Sequence, residues 1–433
     1  MIIQQGQHLA LDRGNPLSEP SVKFICYLLF GVLTPFLVWY ALRLPSFLGN
    51  YMPNTAIATS IAAFFTWYTL EKFRFYAKAR ILSYVVPINL LTFGSAFAII
   101  GLFRAPYSTS LFLSGFAATI ITSYLLTALT RFGSRTEYIA PGGQVTELRE
   151  QANRVLANSP AELSRMIDNR ELFGSIVGDL HFDHPPEWAR LFAKAALHGI
   201  PVYHYRQISE LVTGQVRIDH LSENVLGSLI PNLPYMAVKR GVDVLAVFVA
   251  LPVLLPVFVI IAILIKIDSQ GQVFFIQDRV GFRGEVFRLV KFRTMVPREI
   301  GNTPEAQRED SMTQSDDDRI TRLGRFIRKV RLDELPQAWN VLKGEMSWIG
   351  PRPEAMSLSE WYESQIPFYS YRHIVRPGLT GWAQVNQGHV TNLNDVNAKL
   401  RYDFYYVKNI SHWLDMLIAL KTIRVVLRGL GAK

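Results

Sequence analysis

Four apolar stretches crowd into the first 130 residues, at roughly 22–42, 53–70, 81–103 and 109–130. Each is close to the ~20 residues that a helix needs to cross the hydrocarbon core of a bilayer. Helices of a soluble bundle would carry polar faces at a period of 3.6 residues. These stretches have none, so the reading is an N-terminal four-helix transmembrane bundle over residues 1–132. Basic residues in the short loops set its orientation. Lys72, Arg74, Lys78 and Arg80 follow the second stretch and Arg131 and Arg135 the fourth, while the first and third are followed by little beyond Arg43 and Arg104. Both ends of the bundle are therefore expected on the cytoplasmic side. The first stretch is too long for a signal-peptide core and has no small-residue cleavage site, so it should stay attached. The single cysteine, Cys26, lies within it, which excludes disulfides and cysteine-based zinc sites.

From 133 to 232 the composition turns to that of a soluble domain. "ELFGSIVGDL" reads as a short strand, "PEWARLFAKAALHG" as an amphipathic helix stopped by Gly199, and Val202 to Tyr205 as a second strand. Helix, glycine, strand in that order predicts a small cytoplasmic α/β module with parallel strands. Gly142-Gly143 is isolated behind a proline, so no phosphate-binding fingerprint is present. His181, Asp183 and His184 are metal-ligating types, but a solvated loop explains them better. The module reads as regulatory or for assembly, and a homodimer is expected.

A fifth apolar stretch, Val242 to Ile265, is long enough to span, yet Pro252 and Pro256 lie near its middle, where each removes a backbone bond. Basic residues flank both ends, Lys239-Arg240 before and Lys266 after, so positive-inside bias gives no push across. A re-entrant helix that dips in and returns is expected, with residues 233–433 forming a mainly α (α+β) catalytic domain at the membrane interface.

Beyond 270 the chain is polar and rich in Arg and Lys. Two β-like runs, Val273 to Ile276 and Val286 to Val290, deliver Arg279, Arg283, Lys291 and Arg293. "TRLGRFIRKVRL" predicts a helix with Leu323, Ile327 and Val330 on one side. It is followed by "RLDELPQAWNVLKG", a helix to Leu342 with Gly344 as its stop and Asp333 at its N-cap. A capping aspartate is one account of Asp333. The other is a nucleophile towards phosphorus, kept ionised by arginines and helix dipole, with Glu334 as a general base. Such a basic face can bind nucleic acid. Interleaved with carboxylates on a membrane chain, it fits phosphates or anionic head groups better, so no nucleic-acid partner is expected.

From Lys239 onward the chain resembles the bacterial sugar transferases, the monotopic polyprenyl-phosphate phosphoglycosyl transferases. The matching pieces are "KRGVD" at 239–243, Leu255-Pro256, "KFRTM" at 291–295, "RLDELPQAWNVLKGEMSWIGPRP" at 331–353, "RPGLTGWAQVN" at 376–386 and "YDFYYVKNIS" at 402–411. The resemblance implies that Asp333 attacks the β-phosphate of a UDP-sugar, releasing UMP and leaving a covalent phosphosugar. Polyprenyl phosphate, expected to be undecaprenyl phosphate, then takes the sugar phosphate with help from Glu334. It further implies Mg²⁺ with Asp333 as its protein ligand. Pro351, Arg352 and Pro353 form the nucleotide-side element, with Arg279, Lys291, Arg293 and Arg331 as substrate-binding cations. Pro252 and Pro256 mark the re-entrant break in the lipid bilayer. The implied place is the bacterial inner membrane, catalytic face to the cytoplasm, and the implied role the first membrane step of exopolysaccharide or O-antigen synthesis. "VNQGHV" departs from the family's Val-Asn-Gly-Arg, and the middle module is short for the family's Rossmann-like domain. Two other readings remain. One is a glycosyltransferase using Asp316-Asp317-Asp318 and releasing UDP, against which the acidic linker around them reads as a solvated charge run. The other is a non-catalytic scaffold binding phospholipid or polysaccharide. His373 and His389 are expected to be structural. The last helix, with Trp413, Leu417 and Leu420 on one face, either lies on the membrane surface or packs on the core.

Overall fold

The computed structural model describes residues 17, 19–43, 51–76, 81–130, 136–145, 154–172, 174–217, 231–296, 318–387 and 392–427. Lys78, Arg80, Arg131, Arg135, Asp316, Asp317 and His389 lie outside them. The chain divides into two compact units, Met1–Gly214 and Gln215–Lys433.

The first unit opens with helices α1 (Pro20–Ala41), α2 (Tyr51–Phe73), α3 (Val85–Leu102) and α4 (Thr109–Leu129), one on each of the four apolar stretches. The stretches at α1, α3 and α4 are long and apolar enough to cross a membrane. Helix α2 has the length, but its buried side carries Thr55, Thr59, Thr66 and Thr69, which dilute its hydropathy. Small residues let these helices approach closely. A Cβ on Gly115 would come within 3.1 Å of the Thr59 methyl, and one on Gly31 within 3.0 Å of the Thr119 hydroxyl. Tyr27 donates to Ser123 Oγ at 2.8 Å, and Lys23 pairs with Glu71 at 3.0 Å.

A four-stranded parallel sheet follows, in the order β2 (Arg154–Leu156), β1 (Thr136–Ile139), β3 (Gly174–Gly178), β4 (Val202–His204). Register pairs Tyr138 with Val155 and Ile176, and Ile176 with Val202. Helices α5 (Pro160–Asp168) and α6 (Pro186–Leu197) pack Leu163, Ile167, Trp188 and Leu191 around Ile176, and α7 (Tyr205–Thr213) follows β4 directly. The expected β3–α6–β4 unit is present, with Gly199 at φ +73° ending the helix region. The two strands preceding it were too short and polar to register as a pattern.

The second unit begins with α8 (Leu233–Asp268), one helix of 36 residues with Pro252 and Pro256 inside it. The prolines do not divide it into two elements. Its buried residues run from Lys239 through Val247 and Leu254 to Ile261 and Ile265. Val247 and Leu254 pack with Phe287, Leu289, Ala338 and Val341, while Ile261 and Ile265 pack with Phe292 and Ile327. Strands β5 (Phe274–Val280) and β6 (Val286–Phe292) form the expected antiparallel hairpin, turned by Arg283 at φ +58° and Gly284 at φ +79°. Helix α9 (Arg322–Lys329) is capped by Thr321, whose hydroxyl accepts the Gly324 amide at 2.9 Å. It buries Ile327 but leaves Val330, just beyond its end, half-exposed.

Between α9 and α10 (Ala338–Lys343) the chain winds as a 3-10 turn, Leu332–Gln337. This corrects the expected single helix with Asp333 at its N-cap. Pro336 has no amide to donate, and Arg331, not Asp333, occupies the cap position in left-handed geometry at φ +58°. The short parallel strands β7 (Ser347–Ile349) and β8 (Gly378–Thr380) bracket helix α11 (Met356–Gln365). They are followed by α12 (Trp382–Asn386), α13 (Leu393–Asn409) and α14 (His412–Leu427). In α14, Leu414, Leu417 and Ile418 are fully buried, so this part of the helix packs on the core, while Ile423 and Val426 further along are exposed. Asp415 of α14 receives the Lys239 ammonium at 2.6 Å and the hydroxyls of Tyr235 at 2.6 Å and Tyr406 at 2.8 Å.

Candidate active site

The site is assembled on the turn that carries Asp333 and Glu334. Helix α10 behind it is fixed by Asn340, wholly buried. Its amide nitrogen donates to the Arg288 carbonyl at 2.7 Å and its oxygen accepts the Val290 amide at 3.2 Å. This stitches α10 to β6 and brings Lys291, next in that strand, beside Glu334. From α8, Arg240 donates to the carbonyls of Val341 and, at 2.8 Å, Leu342, supplying positive charge where helix α10 ends. Lys239, Arg240 and Asp243 of "KRGVD" thus act as fasteners. Asp243 also receives the Trp348 indole on its carbonyl at 3.1 Å.

The Gly-Pro-Arg-Pro segment follows β7. A Cβ on Gly350 would stand 2.3 Å from the Arg376 carbonyl oxygen, so only glycine fits this crossing of β7 and β8. The next four carbonyls are all bound. Pro351 accepts the Gly378 amide at 2.9 Å and Arg352 accepts Arg372 Nη2 at 2.8 Å. Pro353 accepts Arg279 Nη1 at 3.0 Å and Glu354 accepts the Val280 amide at 3.2 Å. A main chain held this way aims the Arg352 guanidinium, and Nη2 donates to Glu334 Oε1 at 2.7 Å.

Glu334 is buried among cations: Arg352, Arg331 Nη1 at 3.4 Å and Lys291 Nζ at 3.6 Å. Burial alone would raise its pKa. Arg352, Lys291 and Arg331 overcome that and hold the carboxyl well below the usual range. Asp333 differs. Burial and the Glu334 charge push it up, against partial opposition from Lys291, Arg352 and Arg328. The expectation that arginines keep Asp333 ionised is therefore corrected: the carboxylate that they pin is Glu334, and Asp333 is pushed up. Asp333 enters no hydrogen bond or ion pair among the described residues. Burial and the Arg352 charge bring Lys291 down to about 8, and burial brings Arg279 down to about 10.

Of the residues singled out from the sequence, Asp333, Glu334, Lys291, Arg331 and Arg352 come together. Arg279 joins them through Pro353. Arg293 does not. Its Nη2 donates to the carbonyl and hydroxyl of Ser269 at 2.8 and 2.9 Å, locking the exit of α8 to β6. Arg328 was not singled out for the site. Its Nη1 is a buried donor without a hydrogen-bond partner, and its charge acts on Asp333. His373 is buried, and desolvation with the Arg372 charge brings it down to about 3, so it is neutral and structural.

An uncommitted carboxylate suits Mg²⁺, which binds through one or two carboxylates together with substrate phosphate oxygens. Asp333 is the residue that would hold it. In the first unit, Asp179, His181 and His204 converge, with His181 Nδ1 2.9 Å from His204 Nε2. Asp183 is not part of this trio, and His184 Nε2 turns to the Asp179 carbonyl at 2.9 Å. A ligating histidine donates through its second ring nitrogen, but His204 Nδ1 accepts the Arg206 amide at 3.1 Å. Nε2 therefore carries the proton, and the trio reads as a hydrogen-bonded cluster and not as a metal site.

The bacterial sugar transferase family model matches residues 234–429. A UDP-N-acetylgalactosamine-undecaprenyl-phosphate N-acetylgalactosaminephosphotransferase of Aeromonas hydrophila is 39% identical over 422 residues, 96% of each chain. A UDP-glucose:undecaprenyl-phosphate glucose-1-phosphate transferase of Xanthomonas campestris pv. campestris is 40% identical over 195 residues, 44% of this chain and 39% of its own. The enzyme of that name from Caulobacter vibrioides is 40% identical over 197 residues, 44% of this chain and 71% of its own. The chain is thus an enzyme of the phosphoglycosyl transferase class. It belongs to the bacterial sugar transferase family.

Proposed function

We propose that the protein transfers a sugar 1-phosphate from a UDP-sugar to undecaprenyl phosphate through a covalent intermediate on Asp333. An Asp333 oxygen attacks the sugar-bearing phosphorus, the bond from that phosphorus to the bridging oxygen breaks, and UMP leaves with the electron pair. A phosphate oxygen of the acceptor then attacks the same phosphorus, freeing Asp333 and giving the polyprenyl-diphosphate sugar. The observation that carries this reading is the division of labour in the carboxylate pair. Glu334 is consumed by three cations, and Asp333 beside it is uncommitted. A carboxyl held as low as Glu334 is a weak base, so its role here is to order Lys291, Arg331 and Arg352 around the diphosphate, not to remove a proton. With Arg328, four cations face two carboxylates, an excess that matches an anionic diphosphate. Mg²⁺, when bound by Asp333 and phosphate oxygens, supplies further neutralisation of that charge.

The reaction belongs on the cytoplasmic side of the inner membrane, where UDP-sugars are made, as an opening step of exopolysaccharide or O-antigen assembly. A re-entrant α8 is supported by the burial of Lys239 near its start and Ile265 near its end against one and the same unit. The ends of a straight span would be separated by the ~30 Å of hydrocarbon.

Purified protein given a UDP-sugar, Mg²⁺ and undecaprenyl phosphate should release UMP, and quenched protein should carry the sugar phosphate on Asp333. Asp333→Asn should lower release by about a thousandfold or more. UMP release unaffected by that change would overturn the nucleophile assignment, and UDP as the sole nucleotide product would favour a glycosyltransferase. UDP-N-acetylgalactosamine heads the donor panel, because the relative named for that sugar matches along 96% of this chain.

A further inference from the structure

Strand β5 carries an aromatic ring that the proposed reaction leaves unused. Phe275 is 47% exposed and makes no ring contact among the described residues. Phe274 before it stacks on the buried Phe292 at 5.5 Å. Pairing of β5 with β6 sets Phe275 directly opposite Lys291. Directly paired residues of antiparallel strands share a face, with Cβ atoms about 5 Å apart. The ring therefore stands beside the lysine whose Nζ lies 3.6 Å from Glu334 Oε1.

Side chains two apart on a strand also share a face, which adds Val273 before Phe275, and Gln277 and Arg279 after it. The two ends of this row differ. Val273 packs against the cluster of Ile261, Ile265, Phe292 and Ile327, and so does Leu332, the residue before Asp333. At the other end, Arg279 Nη2 donates to Gln277 Oε1 at 2.6 Å and Nη1 to the Pro353 carbonyl at 3.0 Å. The row thus runs from the apolar exit of α8 to the Pro-Arg-Pro segment, with an exposed ring and an ammonium side by side between them. A lone exposed apolar side chain needs no explanation. This one adjoins a charged site and follows closely in the chain on a helix read as lying in the bilayer. A ligand that matches the row has a hydrocarbon chain joined to an anionic head. Of the two substrates of the proposed reaction, polyprenyl phosphate has that make-up, whereas a UDP-sugar is polar at both ends.

We infer that Phe275 is a specificity-determining contact for the lipid acceptor. Its ring receives the first isoprene units, with the acceptor phosphate beside Lys291 once UMP has left. The rest of the chain leaves past Val273 towards α8 and the hydrocarbon. This rests on polyprenyl phosphate being the acceptor. The donor brings no hydrocarbon chain, so the ring acts in the second half of the reaction and not in the first.

The test separates the two halves in the full-length protein. Exchange of labelled UMP into the UDP-sugar without acceptor reads the first half. UMP release at varied undecaprenyl phosphate in detergent micelles reads the second. In Phe275→Ser the KM for undecaprenyl phosphate should rise about five- to tenfold as the apolar contact is lost, with the exchange rate and the KM for the UDP-sugar unchanged. Phe275→Leu, which keeps apolar surface, should recover most of the loss. Ile276→Ser alters a residue 53% exposed on the opposite face of the strand and should leave the acceptor KM unchanged. An unchanged acceptor KM in Phe275→Ser, as when only phospholipid or water covers the ring, would overturn the inference. A raised KM for the UDP-sugar in its place would also overturn it, by setting uracil on the ring. Exchange at the native rate shows that a variant is folded, and should Phe275→Ser not fold, Phe275→Gln is read by the same criterion. No exchange by the native protein would overturn the covalent intermediate, while the acceptor KM would still decide the role of Phe275. No UMP release at all would overturn the proposed function, and this inference with it.

Discussion

Asp333 and Glu334 are neighbours in sequence with opposite electrostatic fates, and this sets a pH dependence. Because Asp333 is raised, it is protonated over a wider acidic range than an ordinary aspartate. UMP release should therefore fall as pH drops through that raised value and level off above it. Glu334→Gln removes the neighbouring negative charge and frees cations towards Asp333. The acid limb should then move down in pH while the plateau drops, since Lys291, Arg331 and Arg352 lose their common anchor. At the same scale, Lys239→Met leaves Asp415 buried without its ammonium partner and should cost about 3–5 kcal/mol. A second change, Asp415→Leu, should restore a large part, measured by thermal unfolding of both variants. The residues of the candidate site were legible because "RLDELP" and "PRP" concentrate carboxylates and arginines. The hold of Arg372 on the Arg352 carbonyl was not, because the two are twenty positions apart and no spacing rule reports such a bond.

At the level of elements, glycine and proline decide the geometry. Gly350→Ala forces a Cβ against the Arg376 carbonyl, and overpacking of this kind costs roughly 1–3 kcal/mol. The prediction is a lower unfolding temperature together with a rate loss, because β7 leads straight into the segment carrying Arg352. The β5–β6 hairpin was readable from its apolar runs and intervening glycines. Sequence pattern misjudged the 3-10 turn at Leu332–Gln337, since helical periodicity does not register the lost amide of Pro336 or the left-handed Arg331. It also could not choose a setting for α14, because a buried face and a lipid-facing one are both apolar. Helix α8 makes its own test. In a Cys26→Ala background, Gln270→Cys should be labelled only from the cytoplasmic side, and periplasmic labelling would mean that the helix crosses.

At the scale of the whole molecule, the second unit holds every residue assigned to the chemistry, and its boundary at Gln215 lies close to where the family match begins at 234. Residues 215–433 expressed in detergent or nanodiscs should keep UMP release. Loss of activity in this folded fragment would assign the first unit a direct part in the reaction. The division into apolar, mixed and basic regions was legible from composition alone. What composition could not give was how α8 joins the chemistry, because that depends on single long side chains. Arg240 is one of them. It grips the carbonyls closing α10, the helix that continues the Asp333 turn, while the helix it stands on is the one read as lying in the bilayer. On the proposed reading, a tilt imposed on that helix by the surrounding lipid would be passed to the turn that carries Asp333, and acyl-chain length would become a variable of the rate.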